Sequence, residues 1–152
     1  MRKIKGPFQT GLFYLIRHES LQTLKFVLVI YGDPQSSQSP YTALRFAQAA
    51  LAAGHTLPLV FFYHNGGLCG LQTAIPPQDE PLILSQWQSL ANDYGTELVV
   101  CVGSALRRGI ADAQEAKRHD THANLHGAFR LGGLGELVSA GALSDRLITF
   151  AD

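Results

Sequence analysis

Cys101 closes an apolar, β-prone run, Leu98-Val99-Val100-Cys101-Val102. The chain then opens into Gly103-Ser104-Ala105 and the basic pair Arg107-Arg108. An apolar run that turns into small residues and helix formers reads as a buried strand feeding a helix. The thiol therefore falls at the carboxyl end of a strand, where open α/β sheets place their ligand sites. A helix N-terminus and nearby guanidinium groups favour the thiolate, which is the nucleophilic form of cysteine. The competing reading is an inert core residue, because free cysteine is among the most buried residue types. Arg107 and Arg108 taken alone read as ordinary surface charges. They gain weight beside a strand-end thiol.

Other residues offer weaker chemistry. Cys69 lies in the glycine-rich stretch Gly66-Gly67-Leu68-Cys69-Gly70, as a second acceptor or resolving thiol, or as an incidental loop residue. His119, His122 and His126 have the spacing i, i+3, i+7, which on one helix gathers ligands for zinc or nickel. Their segment contains Asp120, Thr121 and Asn124 and reads as a loop, so a polar surface cluster is favoured and no metal is expected. Leu131-Gly132-Gly133-Leu134-Gly135 matches neither GxGxxG nor the P-loop pattern. A tight strand-to-helix turn accounts for its glycines. Ser104 lacks a GxSxG elbow, and no pair of carboxylates stands out as an acid/base couple.

The elements that must position these groups alternate. Lys25 to Tyr31, Leu57 to Tyr63 and Thr96 to Cys101 are apolar, β-rich runs, which mark strands buried on both faces. Short strands are expected at 128–131 and 145–150. Helices are expected from Pro40 to Ala53 with Ser39 as N-cap, from Asp79 to Tyr94, from Ala105 to Ile110, from Asp112 (as cap) to His119, and from Gly133 to Gly141. His64 to Gln78 reads as a long loop of the functional kind. This order predicts a single α/β domain with a mostly parallel five-stranded sheet and helices on both faces.

Composition narrows the function. Twelve basic and twelve acidic side chains cancel among 152 residues, so the overall basic footprint of a nucleic-acid binder is missing. Two cysteines make neither a disulfide scaffold nor a CxxC motif, and reduced thiols in the cytoplasm are the simplest inference. No stretch reaches the roughly 20 apolar residues of a membrane span. Met1 to Thr23 is basic at its start, but its apolar part, Gly11 to Ile16, is shorter than a signal-peptide core of roughly 7–15 residues. It reads as a flexible extension, a short interfacial or partner-binding segment or, the favoured reading, sequence upstream of the natural start, with the working domain over 24–152.

The strings KFVLVIYG, LRFAQAALAAGH, VFFYHNG, VVCVGSALRRGI and GLGELVSAGALSDRLITF resemble the DsrE/TusD family of sulfurtransferase subunits over nearly all of Leu24 to Phe150. The most specific part is the cysteine followed by Ala-Leu-Arg-Arg-Gly. The resemblance implies that Cys101 is the sulfur-carrying residue, with Arg107 and Arg108 as possible supports and no cofactor. It further implies a heterohexamer with TusB-like and TusC-like subunits, a TusA-like persulfide donor and a TusE- or DsrC-like acceptor. The end product is then 2-thiolated wobble uridine in tRNA or, in the DsrE branch, dissimilatory sulfur oxidation. A different class, a flavodoxin-like nucleotide or flavin binder, uses the same strand ends and predicts a coloured protein. The segment before Leu24, Cys69 and the three histidines have no counterpart in the resemblance.

Overall fold

The computed structural model describes residues 22–80 and 82–151. The expected N-terminal extension, apart from its last two residues, lies outside them. Five strands form one parallel sheet: β1 (Lys25–Ile30), β2 (Thr56–Phe62), β3 (Glu97–Cys101), β4 (Phe129–Gly132) and β5 (Arg146–Phe150), in the order β4-β3-β2-β1-β5. Every neighbouring pair is parallel. The continuous apolar runs thus do what such runs do in α/β proteins, feeding both sheet faces with side chains.

The two faces are covered unequally. Phe26, Leu28, Ile30, Val60, Phe62, Leu98 and Val100 point to the first face. There they pack on α1 (Ser39–Ala52), through Ala43, Leu44 and Ala47, and on α2 (Ile83–Tyr94), through Leu84, Trp87 and Leu90. Trp87 sets its ring edge-on to Phe62 at 5.5 Å, a favoured geometry for aromatic pairs. Val27, Leu59, Phe61, Val99 and Cys101 point to the second face, where α5 (Leu134–Ala142) supplies Leu137 and Ala140. No residue of α5 is fully buried, and Leu134 and Val138 are exposed.

The strand ends decide where a site can form. After β3, the chain enters α3 (Val102–Leu106) and stays on the first face, with Ala105 and Ile110 in its core. After β4, it crosses to the second face as α5. Neighbouring strands that send their chains to opposite faces leave a crevice at their carboxyl ends, the usual ligand position in open sheets. Cys101 and Gly132 pair in register at that crevice.

Local differences from the sequence reading have physical causes. Helix α1 begins at Ser39 itself, and Gln38 holds the cap position without a side-chain hydrogen bond. Helix α2 begins at Ile83 rather than Asp79, with Leu82 extended. Pro81 disfavours helical backbone at Glu80, the residue before it. The loop after β2 starts with a 3₁₀ helix, His64–Gly70. The helix after Cys101 starts three residues early, at Val102, and has only five residues. Helix α4 (Ala113–Arg118) is capped as expected, Asp112 Oδ1 accepting from the Glu115 N–H at 2.8 Å.

Candidate functional site

A cleft of about 560 Å³ lies at the β3/β4 crevice. Cys101, Gly103, Ser104, Arg107 and Arg108 form one wall, Tyr63, His64 and Asn65 another, and Leu134 of α5 the rim. Cys101 is buried, 6% exposed, where it borders the cleft. The structure brings the thiol and both arginines named from the sequence to one cleft. The sequence reading expected more from the helix that follows. Cys101 is the cap residue of the five-residue α3, and no side-chain cap bond is made.

The lining holds two guanidinium groups and no carboxylate. Arg108 is held by neutral acceptors: Nε donates to Asn65 Oδ1 at 2.8 Å and Nη1 to the Ser104 carbonyl at 3.0 Å. Among the described residues no ion pair cancels its charge, and an anion in the cleft meets a positive field. Arg107 is exposed. Ser104 Oγ accepts the His64 N–H at 2.9 Å. His64, Asn65 and the supporting role of Ser104 escaped sequence reasoning, since His64 and Asn65 lie about 40 residues from Ser104 and only the fold brings them across. The sequence marked 64–78 as a long loop of the functional kind without singling out either residue.

Glycines let the backbone close around the site. A Cβ on Gly66 would collide with the Ile30 carbonyl, and one on Gly67 would meet Val100 Cγ1 at 3.0 Å. A Cβ on Gly132 would collide with Val99 and with Glu136 Oε1. The run 131–135 is the β4–α5 turn, as its glycines suggested. Its geometry is held by Glu136, whose Oε1 accepts from the Gly133 N–H at 3.2 Å and whose Oε2 pairs with Arg130 at 2.7 Å. Arg130 also bridges to Glu97 on β3. The hydrogen bond from Arg130 holds the Glu136 carboxyl below the usual range.

The remaining candidates lie elsewhere. Cys69 is buried in the first-face core, 1% exposed, at the base of a separate 350 Å³ cavity under Tyr41, Leu71 and Ile83. Burial, with the Asp33 carboxylate adding to it, pushes its thiol far above the ordinary range. Both thiols are free. His119 pairs with Glu115 at 3.2 Å, and His126 Nδ1 accepts the Ala128 N–H at 3.1 Å. Among the described residues no group of three or more His, Cys, Asp or Glu side chains is placed to hold a metal ion, and no helix is long and apolar enough to cross a membrane.

Known proteins show the same arrangement of sequence. The model of the DsrE/DsrF-like family matches residues 24–150. The DsrE protein of Allochromatium vinosum is 45% identical over 130 residues, covering 85% of this chain and 100% of that protein. The sulfurtransferase TusD of Serratia proteamaculans is 45% identical over 128 residues, covering 84% of this chain and 99% of that protein. Among solved structures, the ychN protein from E. coli has the same fold, with a TM-score of 0.69 at 22% identity, covering 84% of this chain and 100% of that one.

Proposed function

This chain belongs to the DsrE/DsrF-like family and is a sulfurtransferase, and we propose that it relays sulfur as a persulfide on Cys101. The observation that carries the reading is a thiol bordering a cationic, carboxylate-free cleft at the β3/β4 crevice. The Cys101 thiolate attacks the outer sulfur of a donor persulfide. A new S–S bond forms at Cys101, the donor's S–S bond breaks, and its electron pair leaves with the donor thiolate. A thiolate of an acceptor protein then attacks that outer sulfur, and the Cys101 thiolate leaves. No net oxidation occurs, and the sulfur is carried covalently with no cofactor. Arg107, exposed on the wall, serves docking of the donor or acceptor.

The donor and acceptor are TusA-like and TusE- or DsrC-like proteins in the cytoplasm. The chain works with TusB-like and TusC-like subunits in a heterohexamer and contacts tRNA only indirectly. The apolar side chains left exposed on α5 and β5, Leu134, Val138 and Leu147, support association with such neighbours. The sulfur ends in 2-thiouridine at the tRNA wobble position. A second reading, dissimilatory sulfur oxidation, is favoured by the DsrE relative, which matches as well as TusD does.

Intact-mass measurement of the full chain with a persulfide donor tests the site. Wild type should gain one sulfur that dithiothreitol removes, and Cys101→Ser should gain none. Transfer retained by that variant sinks the mechanism. Loss of 2-thiouridine from tRNA when the gene is deleted distinguishes the first pathway from the second.

A further inference from the structure

The adjacent arginines have different surroundings. From that difference we infer that Arg108 is a positioning residue for sulfur transfer, acting through Asn65 and Ser104 on the shape of the cleft beside Cys101. This rests on the reading of Cys101 as sulfur carrier.

Two hydrogen bonds join two segments far apart in sequence, Arg108 Nε to Asn65 Oδ1 and the His64 N–H to Ser104 Oγ, and a third, Arg108 Nη1 to the Ser104 carbonyl, braces the guanidinium on its own segment. Ser104 lies three residues past the thiol, and His64 and Asn65 form the facing wall. His64 has φ of 51°, a left-handed conformation that a residue with a side chain keeps only when its surroundings fix it. Behind it, the Gly66 N–H reaches the Tyr31 and Tyr63 carbonyls at 2.9 and 3.0 Å, and Gly66 sits against Ile30 with no room for a Cβ. The segment is thus tied to β1 at its rear by backbone, and to α3 at its front by Arg108 and Ser104.

Removing the guanidinium breaks one of the two front ties, leaves the His64 N–H on Ser104 Oγ and leaves the rear in place. The wall facing the thiol is then held less firmly at its Asn65 end. Attack on a persulfide needs the reacting atoms held in line, and a displacement near 1 Å costs up to roughly 100-fold in rate. The planar guanidinium spans two acceptors at once, which a lysine ammonium cannot reproduce. Arg107 makes no comparable side-chain bond among the described residues, so it serves as the internal contrast.

The test loads the full chain with glutathione persulfide and follows sulfur on Cys101 by mass after rapid quenching. Arg108→Ala should lower the saturating rate about 10-fold, with the half-saturating concentration changed less than about twofold. Asn65→Ala should give a smaller loss of the same kind. The double variant should be no slower than Arg108→Ala alone, because both break one contact. Arg108→Lys should not restore the rate. Amide exchange over residues 64–70 should quicken in Arg108→Ala. A rise in half-saturating concentration alone would mean that Arg108 contacts the donor, which overturns the inference. So would wild-type rate and exchange in Arg108→Ala. If wild type takes up no sulfur, the carrier reading fails by itself. The clamp is then decided by amide exchange and by iodoacetamide alkylation of Cys101, and no change in either overturns it. Should Arg108→Ala not fold, the same readouts on Asn65→Ala decide.

Discussion

Cys69 follows β2 and Cys101 ends β3, neighbours in the sheet, yet the two thiols live in different chemical worlds. Cys69 turns into the first-face core, and burial holds it protonated. Cys101 ends its strand on the second face and borders a cleft whose charge is positive. Which way a strand end sends the chain, not the presence of a thiol, sets whether that thiol lies in a core or beside a cleft. The two thiols belong to separate core clusters on opposite faces of the sheet.

The sharpest way to break this contrast is to exchange the roles. Cys101→Ser is expected to lose sulfur loading entirely, while Cys69→Ser keeps it; intact mass with a persulfide donor reads both. The next largest effect falls on the wall between them. Gly66→Ala should destabilise the fold by about 3 kcal/mol, because the new methyl collides with backbone that cannot move aside; urea denaturation measures it. Cys69→Ser puts a hydroxyl where the thiol is buried, and should cost about 2 kcal/mol in the same assay with transfer rates unchanged.

Titration sharpens the contrast further. The folded pKa of Cys69 is raised above its unfolded value, so above the ordinary thiol range near 9 the unfolded chain loses a proton that the folded chain keeps. Stability should then fall as pH rises beyond that point, and this alkaline slope should shrink in Cys69→Ala. The smallest effect is on the second face. The Glu136 carboxyl is depressed by Arg130, so its contribution is present above the unfolded carboxylate pKa and is lost as pH falls through the folded one. Glu136 is half-exposed, and Glu136→Gln should cost only about 0.5 kcal/mol at neutral pH, with the difference from wild type vanishing in acid.

Much of this was readable in the residues. Continuous apolar runs marked the three long strands, and the Gly-rich turn after β4 sat where its glycines suggested. Cys101 with its arginines came from a run of one dozen letters. The facing wall did not, since Asn65 meets Arg108 only after β2 and β3 pair, and nothing local in Asn-Gly-Gly encodes that partner. The early start of α3 was missed for a related reason: Val102 and Gly103 are poor helix formers, and tertiary packing of Ala105 overrides them.

The placement of β5 has a consequence for how the protein is made. Strand β1 pairs with β5 across 120 positions, Phe26 meeting Arg146, and α5, the cover of the second face, precedes β5 directly. During synthesis, β1 therefore waits with one edge unpaired and Val27 uncovered until β5 leaves the ribosome. An apolar strand held open for that long is a template for pairing with other nascent chains. Shielding β1 until β5 arrives removes that hazard.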